Sequence, residues 1–217
     1  MNVQDLSQLF DAHAVDVAPY LLGCQLTVTT ARGSVAVRLT EVEAYGDQGE
    51  DPGAHSYRGK TRRNASLFGP PRHAYVYQSY GIHYCLNLTA HAAGAGGVLL
   101  RAAEVIEGRA LAVDRRGGKD TGVKLLSGPG RLGQGLGVTL PMDGSRLHIA
   151  DSAVEHDPNH EVSFVLTPAA PLPADAVRSG PRVGVSGIGG GREFPWRFWI
   201  AEDRSVSAYR PGKNVPS

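Results

Sequence analysis

Residues of types that do chemistry crowd one stretch of the chain: Glu41, Glu43, Tyr45 and His55, then Tyr75, Tyr77, Tyr80, Tyr84, Asn87 and Arg101. Two glutamates separated by one residue share a face of any strand they occupy. Val35, Val37 and Leu39 precede them with the same parity and alternate with Ala36, Arg38 and Thr40, as a strand with one buried face does. An unbroken count therefore puts Glu41, Glu43 and Tyr45 on the core face. An unpaired carboxylate there costs several kcal/mol or shifts its pKa, so the stretch needs a partner, a turn of the strand, or a use for the acid. Same-face strand neighbours lie ~6.5–7 Å apart at Cα, a spacing that also suits two carboxylates acting on a sugar's glycosidic bond. The tyrosines divide similarly. Tyr75 and Tyr77 share strand parity, and packing alone accounts for them. Tyr80 differs: it stands beside Gly81 at a turn between two strands, where a ring is a poor core residue and a good wedge between stacked bases.

Charge is distributed unevenly along a chain whose net charge is only +1. Residues 41–55 hold Glu41, Glu43, Asp47, Glu50 and Asp51 and no Lys or Arg, whereas 56–75 hold Arg58, Lys60, Arg62, Arg63 and Arg72 and no acid. A second arginine-rich stretch runs from Arg178 to Lys213. The balance excludes a uniformly polyanion-seeking protein and leaves local basic loops, which serve as a solvated surface or as phosphate contacts.

The elements that must position these residues are readable from periodicity. Leu6, Leu9, Phe10, Ala14, Val17, Tyr20 and Leu21 predict helix from Asp5 to about Leu22, split in two at Pro19 and capped by Gly23. "QLTVTT" and "SVAVRLTEVEAY" form a hairpin about "ARG". Residues 46–73 read as a loop with at most short helices, a length that is usually functional. "HAYVYQSYGIHYCLNLTA" gives two strands about Gly81, and "AGAGGVLLRAAEV" a further strand carrying Arg101. A Pro129-led helix follows Ser127, then strands at "SRLHIAD" and "EVSFVLTP". The sum is an α+β fold: a single mixed domain over 1–217, with a curved, mostly antiparallel β-sheet, surrounding helices, a protruding β-hairpin and a flexible tail from about 212.

With 217 residues, 41% hydrophobic and 20% charged, the chain can bury a full core. It lacks a run of about 20 apolar residues and a basic, apolar leader, so no membrane partner and a cytoplasmic location are expected. Cys24 and Cys85 stand far apart without metal-ligand spacing, and the histidines are scattered, so neither a metal nor another cofactor is expected. "GIGGGR" fails the dinucleotide pattern at Arg192, and "VDRRGGKD" fails the phosphate loop at Val113 and Asp120.

"EVEAY", "AHS", "YVYQSYGIHYCLN" and "VLLRAAEV", continued by "LSGPGRLGQGLGV", "GPRVGV" and "PWRFWI" in consistent order over roughly residues 15–200, resemble the alkyladenine DNA glycosylase family, also called the 3-methyladenine DNA glycosylases. The resemblance implies a protein that acts on double-stranded DNA, and since one lesion needs one pocket a monomer is expected. It would flip out a damaged purine (3-methyladenine, 7-methylguanine, hypoxanthine or ethenoadenine) and hydrolyse its N-glycosidic bond. Carried over by position, Glu43 matches the general base, Arg101 a residue holding the attacking water, and the Val183 carbonyl a further contact to that water. Tyr45, His55 and Tyr77 match the side chains enclosing the base, Asn87 the amide that crowds a guanine amino group, Tyr80 the intercalating residue and Arg131 a DNA contact. The chain departs from the pattern at "SGIGGG", where the family has a longer, less glycine-rich connection.

The residue types fit that chemistry. Breaking a purine glycosidic bond leaves positive charge on the sugar, which a nearby carboxylate stabilises while it activates water. Arg101 beside Glu43 is expected to keep the acid ionised. Lys60, Lys119, Lys124 and Lys213 all fall outside the matched pocket, so no Schiff-base lyase chemistry is expected. Glu41 is expected to be a structural partner for a helix end or basic loop. A noncatalytic binder of damaged DNA would keep the tyrosines and basic loops without needing Glu43.

Overall fold

In the computed structural model, which describes residues 1–151 and 162–216, a curled ten-stranded sheet forms the centre of one domain. The strand predicted at "EVSFVLTP" has its first residue, Glu161, outside the described residues. Two short helices open the chain, α1 (Val3–Leu9) and α2 (Ala14–Leu21). The break falls at 10–13 rather than at the predicted Pro19, which lies inside α2. His13 explains it: its Nδ1 accepts the Val15 N–H and starts a fresh helix, while Pro19 comes too near the end of α2 to disrupt more than its last turn.

The predicted hairpin forms as β1 (Gln25–Thr30) and β2 (Gly33–Tyr45), paired from Gln25↔Arg38 to Thr30↔Gly33. Next come β3 (Ala74–Ser79), β4 (His83–Thr89) and β5 (Gly97–Glu107). Helix α3 (Arg109–Arg115), the two-residue β6 (Leu126–Ser127) and α4 (Pro129–Leu136) follow. Four short strands complete the sheet: β7 (Leu147–Ile149), β8 (Val162–Thr167), β9 (Val177–Gly180) and β10 (Arg197–Ile200). The main path runs β3-β4-β5-β2-β1-β8-β7, antiparallel except for β7 on β8, and β10 pairs with the far half of β2. Residues 46–73 are loop except for a 3₁₀ helix at Arg62–Phe68, whose start is held by reciprocal Thr61 and Asn64 hydrogen bonds.

The parity expectation for β2 fails at Thr40. Leu39 pairs with Ala103 but Glu41 with Ala102, so Thr40 is an extra residue on β2; Val42 then pairs with Leu100, so Arg101 is an extra residue on β5. Paired bulges of this kind re-aim side chains. Before Thr40 the core takes Val35, Val37 and Leu39; beyond it the core takes Val42 and Ala44. Glu41, Glu43 and Tyr45 thus leave the face on which an unbroken count placed them. The strand turns, and the acids point away from the main core.

That core lies between the sheet and α1, α2 and α4, with Phe10, Leu21, Leu26, Leu88, Leu100 and Phe164 fully buried. Helix α4 carries three glycines that weaken its intrinsic propensity, and packing explains them. A Cβ at Gly133 would stand 2.0 Å from the Tyr84 carbonyl oxygen, so the helix can lie on β4 only without one. Tyr75 and Leu67 form a second, smaller cluster with Ala95, against which Phe68 and Tyr77 pack. It underlies the cleft described next.

Candidate active site

A cleft of about 830 Å³ opens where β2, β3, β4 and β5 meet the 46–63 loop and the 183–186 segment. Glu43, Tyr45, His55, Tyr77, Tyr80, Asn87, Arg101 and Val183 all line it. Of the residues singled out by sequence, Arg131 is not among its walls; it stands exposed on α4. The volume is the size of a small-molecule site, ample for a nucleotide.

Glu43 forms the floor. Its side chain is buried, and the Val183 N–H donates to Oε1 at 2.7 Å while the Tyr45 hydroxyl donates to Oε2 at 3.0 Å. Arg101 approaches at 3.5 Å. Val183 meets the acid through its N–H; the contact expected of its carbonyl is to the attacking water, a separate group. Burial pushes the Glu43 carboxyl above its ordinary range, and the Arg101 charge and the Val183 hydrogen bond only partly offset this; Glu41 adds to the rise. Burial sets the direction of the shift, outweighing a cation held at 3.5 Å.

Glu41 is saturated. Its Oε1 accepts from Arg197 Nε at 2.6 Å and Ser207 Oγ at 2.9 Å, its Oε2 accepts from the Ser207 N–H at 2.7 Å, and Arg101 Nε lies 3.2 Å away. Glu41 is absent from the cleft wall. It is a structural partner, as expected, though for the buried Arg197 on β10 and the chain at Ser207. A paired-carboxylate glycosidase loses its second acid here.

The walls are aromatic. The His55 ring sits 4.5 Å from that of Tyr77, edge on, and its Nδ1 pairs with the Tyr75 hydroxyl at 2.9 Å. Tyr75 stacks on Tyr77 with centroids 5.7 Å apart. Burial raises the tyrosine hydroxyl pKa values, and burial together with the nearby Arg63 charge lowers that of His55, so both residue types stay neutral at pH 7. Asn87, on β4, uses its amide nitrogen to donate to the Tyr75 carbonyl at 3.1 Å. Across the rim stand exposed Arg63 and Arg210.

At the mouth, Tyr80 is 92% exposed. It and Gly81 have φ of 51° and 70°, paired positive values at the centre of the three-residue connection between Ser79 and His83, and the Ile82 N–H closes the turn on the Ser79 carbonyl at 3.0 Å. A non-glycine residue held at positive φ with its ring in solvent is placed by the turn and not by packing.

Sequence reading left Tyr75, Cys85, Leu99 and Gly97 of the lining without a role, although Tyr75 shared the parity of Tyr77. It also missed Ser207, which binds Glu41 partly through its backbone and so carries little signal. Among the described residues no group of three or more His, Cys, Asp or Glu could hold a metal, and no helix is long and apolar enough to cross a membrane.

Curled sheet, buried acid, aromatic walls and projecting hairpin make a cleft with the volume and lining to accept a flat ring against a carboxylate. Residues 8–204 match the methylpurine-DNA glycosylase family, and the chain belongs to it. A Streptomyces avermitilis protein named "Putative 3-methyladenine DNA glycosylase" is 47% identical over 204 residues, covering 94% of this chain and 90% of that protein. Proteins of the same name from Leifsonia xyli subsp. xyli and Rhodococcus jostii are 44% and 43% identical, with 93% and 94% of this chain and 90% and 85% of theirs covered.

Proposed function

We propose that the protein is a monofunctional DNA glycosylase that everts alkylated or deaminated purine nucleotides from duplex DNA and hydrolyses their N-glycosidic bond. The observation that carries this reading is the buried Glu43 carboxylate on the floor of a tyrosine-walled cleft whose mouth bears an exposed Tyr80. Glu43 takes a proton from water as the oxygen bonds to the sugar's anomeric carbon; the bond to the purine nitrogen breaks and the base leaves with its electron pair. An alkylated purine already carries the positive charge that this departure neutralises. The raised pKa makes Glu43 a stronger base than an exposed glutamate.

Tyr45, His55 and Tyr77 enclose the ring, and uncharged walls suit an electron-poor or cationic purine, with stacking worth ~1–3 kcal/mol per base. Tyr80 fills the gap left in the stack, and Arg63, Arg131 and Arg210 supply exposed charge toward phosphates. Asn87 crowds the position of a guanine amino group. Lys60, Lys119, Lys124 and Lys213 are absent from the cleft wall, which supports hydrolysis by water that leaves an abasic site. One cleft serves one lesion, so a cytoplasmic monomer suffices.

The test is incubation with duplex oligonucleotides carrying hypoxanthine, ethenoadenine or 7-methylguanine, with detection of free base and of borohydride-trapped adducts. Free base without a covalent adduct is expected. Tight binding with no release from any lesion would make the protein a binder, and a trapped adduct would make it a lyase.

A further inference from the structure

Arg182 is the largest fully buried side chain among the described residues, and it lies outside the set of site residues proposed from sequence. Its guanidinium grips Asp51 bidentately, at 2.5 and 2.6 Å, and also donates to the Ala44 carbonyl at 2.9 Å and the Gly189 carbonyl at 2.7 Å. The same group lies 4.5 Å from the centre of the Tyr45 ring and 5.3 Å from that of Trp196. One planar cation therefore ties together the end of β2, the 46–53 loop and the glycine segment. Gly189 and Gly53 are fitted to this grip. A Cβ on Gly189 would stand 2.4 Å from the Gly53 nitrogen, and one on Gly53 would stand 2.6 Å from Arg182 itself. The glycine segment is thus a close-packed collar.

The consequence runs to the acid. Arg182 immediately precedes Val183, whose N–H donates to Glu43, and it flanks Tyr45, whose hydroxyl donates to the same carboxylate. We infer that Arg182, gripped by Asp51, is a positioning residue that holds the Tyr45 wall and the Val183 amide on Glu43 as one rigid unit. The inference rests on the reading of Glu43 as the base. Arginine is required because only its fixed fork matches a carboxylate bidentately while its face stacks on a ring; lysine keeps the charge and loses both.

The experiment compares wild type with Arg182→Lys, and with Asp51→Glu, which keeps both charges and displaces the grip by one methylene. In the DNA-free protein, the Val183 amide proton is followed by NMR as Glu43 titrates. The expected result is that its shift tracks Glu43 in wild type and that in the variants the response is lost or moves to higher pH. In single turnover on a hypoxanthine duplex, base release should slow at least about tenfold, with duplex affinity changed by less than about threefold, as expected of a misplaced reacting group. If Arg182→Lys does not fold, Asp51→Glu decides. A folded variant whose Val183 amide titrates as in wild type overturns the inference whatever its activity. Loss of the titration in the variants, combined with no base release by wild type, overturns the glycosylase reading and leaves the positioning role intact.

Discussion

Glu41 and Glu43 occupy the same strand one residue apart, both fully buried, yet their surroundings have little in common. Around Glu41 every approach is filled: Arg197, Arg101 and Ser207 supply more donors than the acid has oxygens. Around Glu43 there are two hydrogen bonds, a distant cation and an open cleft. Satisfaction makes the first acid part of the fold. Burial, which the Arg101 charge and two hydrogen bonds only partly offset, raises the pKa of the second. Burial alone therefore does not single out a candidate base; burial with unspent acceptor capacity does.

The contrast can be broken in several places. The largest effect on stability is expected for Glu41→Gln, which leaves Arg197, 5% exposed, without its anionic partner. Denaturant unfolding should show a loss of about 3–5 kcal/mol, with base release per folded molecule little changed. Loss of turnover at unchanged stability would exchange the roles of the two acids. Next, Tyr80→Ala removes a ring that packs against nothing in the protein. Affinity for a lesion duplex should fall by about 1–3 kcal/mol while the melting temperature holds, and an equal fall in melting temperature would make the ring structural.

The pH dependence follows from the direction of the Glu43 shift. Because the base must be ionised, base release should climb about tenfold per pH unit on the acid side and level off above a pKa higher than the ordinary 4.5. A plateau already reached below pH 4.5 would show that burial does not dominate. The stability effect has the opposite sign. With the folded pKa raised, the contribution of Glu43 is present below the unfolded value and is lost as pH rises through the folded one. Glu43→Gln should consequently gain on wild type in melting temperature between acid and neutral pH, by no more than a few degrees. Arg101 stays neutralised by Glu41 in that variant. A fall in its melting temperature would place Glu43 among the structural acids.

Much of this arrangement was legible in the letters, and the failures have physical causes. The hairpins, the long polar loop and the Tyr80 turn follow from local chemistry, because alternation, Gly81 and polar composition act within a few residues. The face swap at Thr40 does not, since a bulge exists only relative to a partner strand, here one more than 60 residues away in sequence. Val42 and Ala44, apolar on the supposedly outer face, were its one visible trace. The break before α2 was hidden because it uses a histidine ring as its cap, outside the usual capping residues. Eight of the nine proposed site residues line one cleft, Arg131 being the exception. Missing from that set was Arg182 with Asp51, an ion pair of residues 131 apart in the chain that only the folded molecule brings together.

The account stands most directly on single-turnover base release by Glu43→Gln, measured beside its affinity for the same lesion duplex. Release slower by about 10²–10⁴-fold with affinity retained is the predicted outcome. Release at the wild-type rate would show that the acid on the cleft floor is not the base.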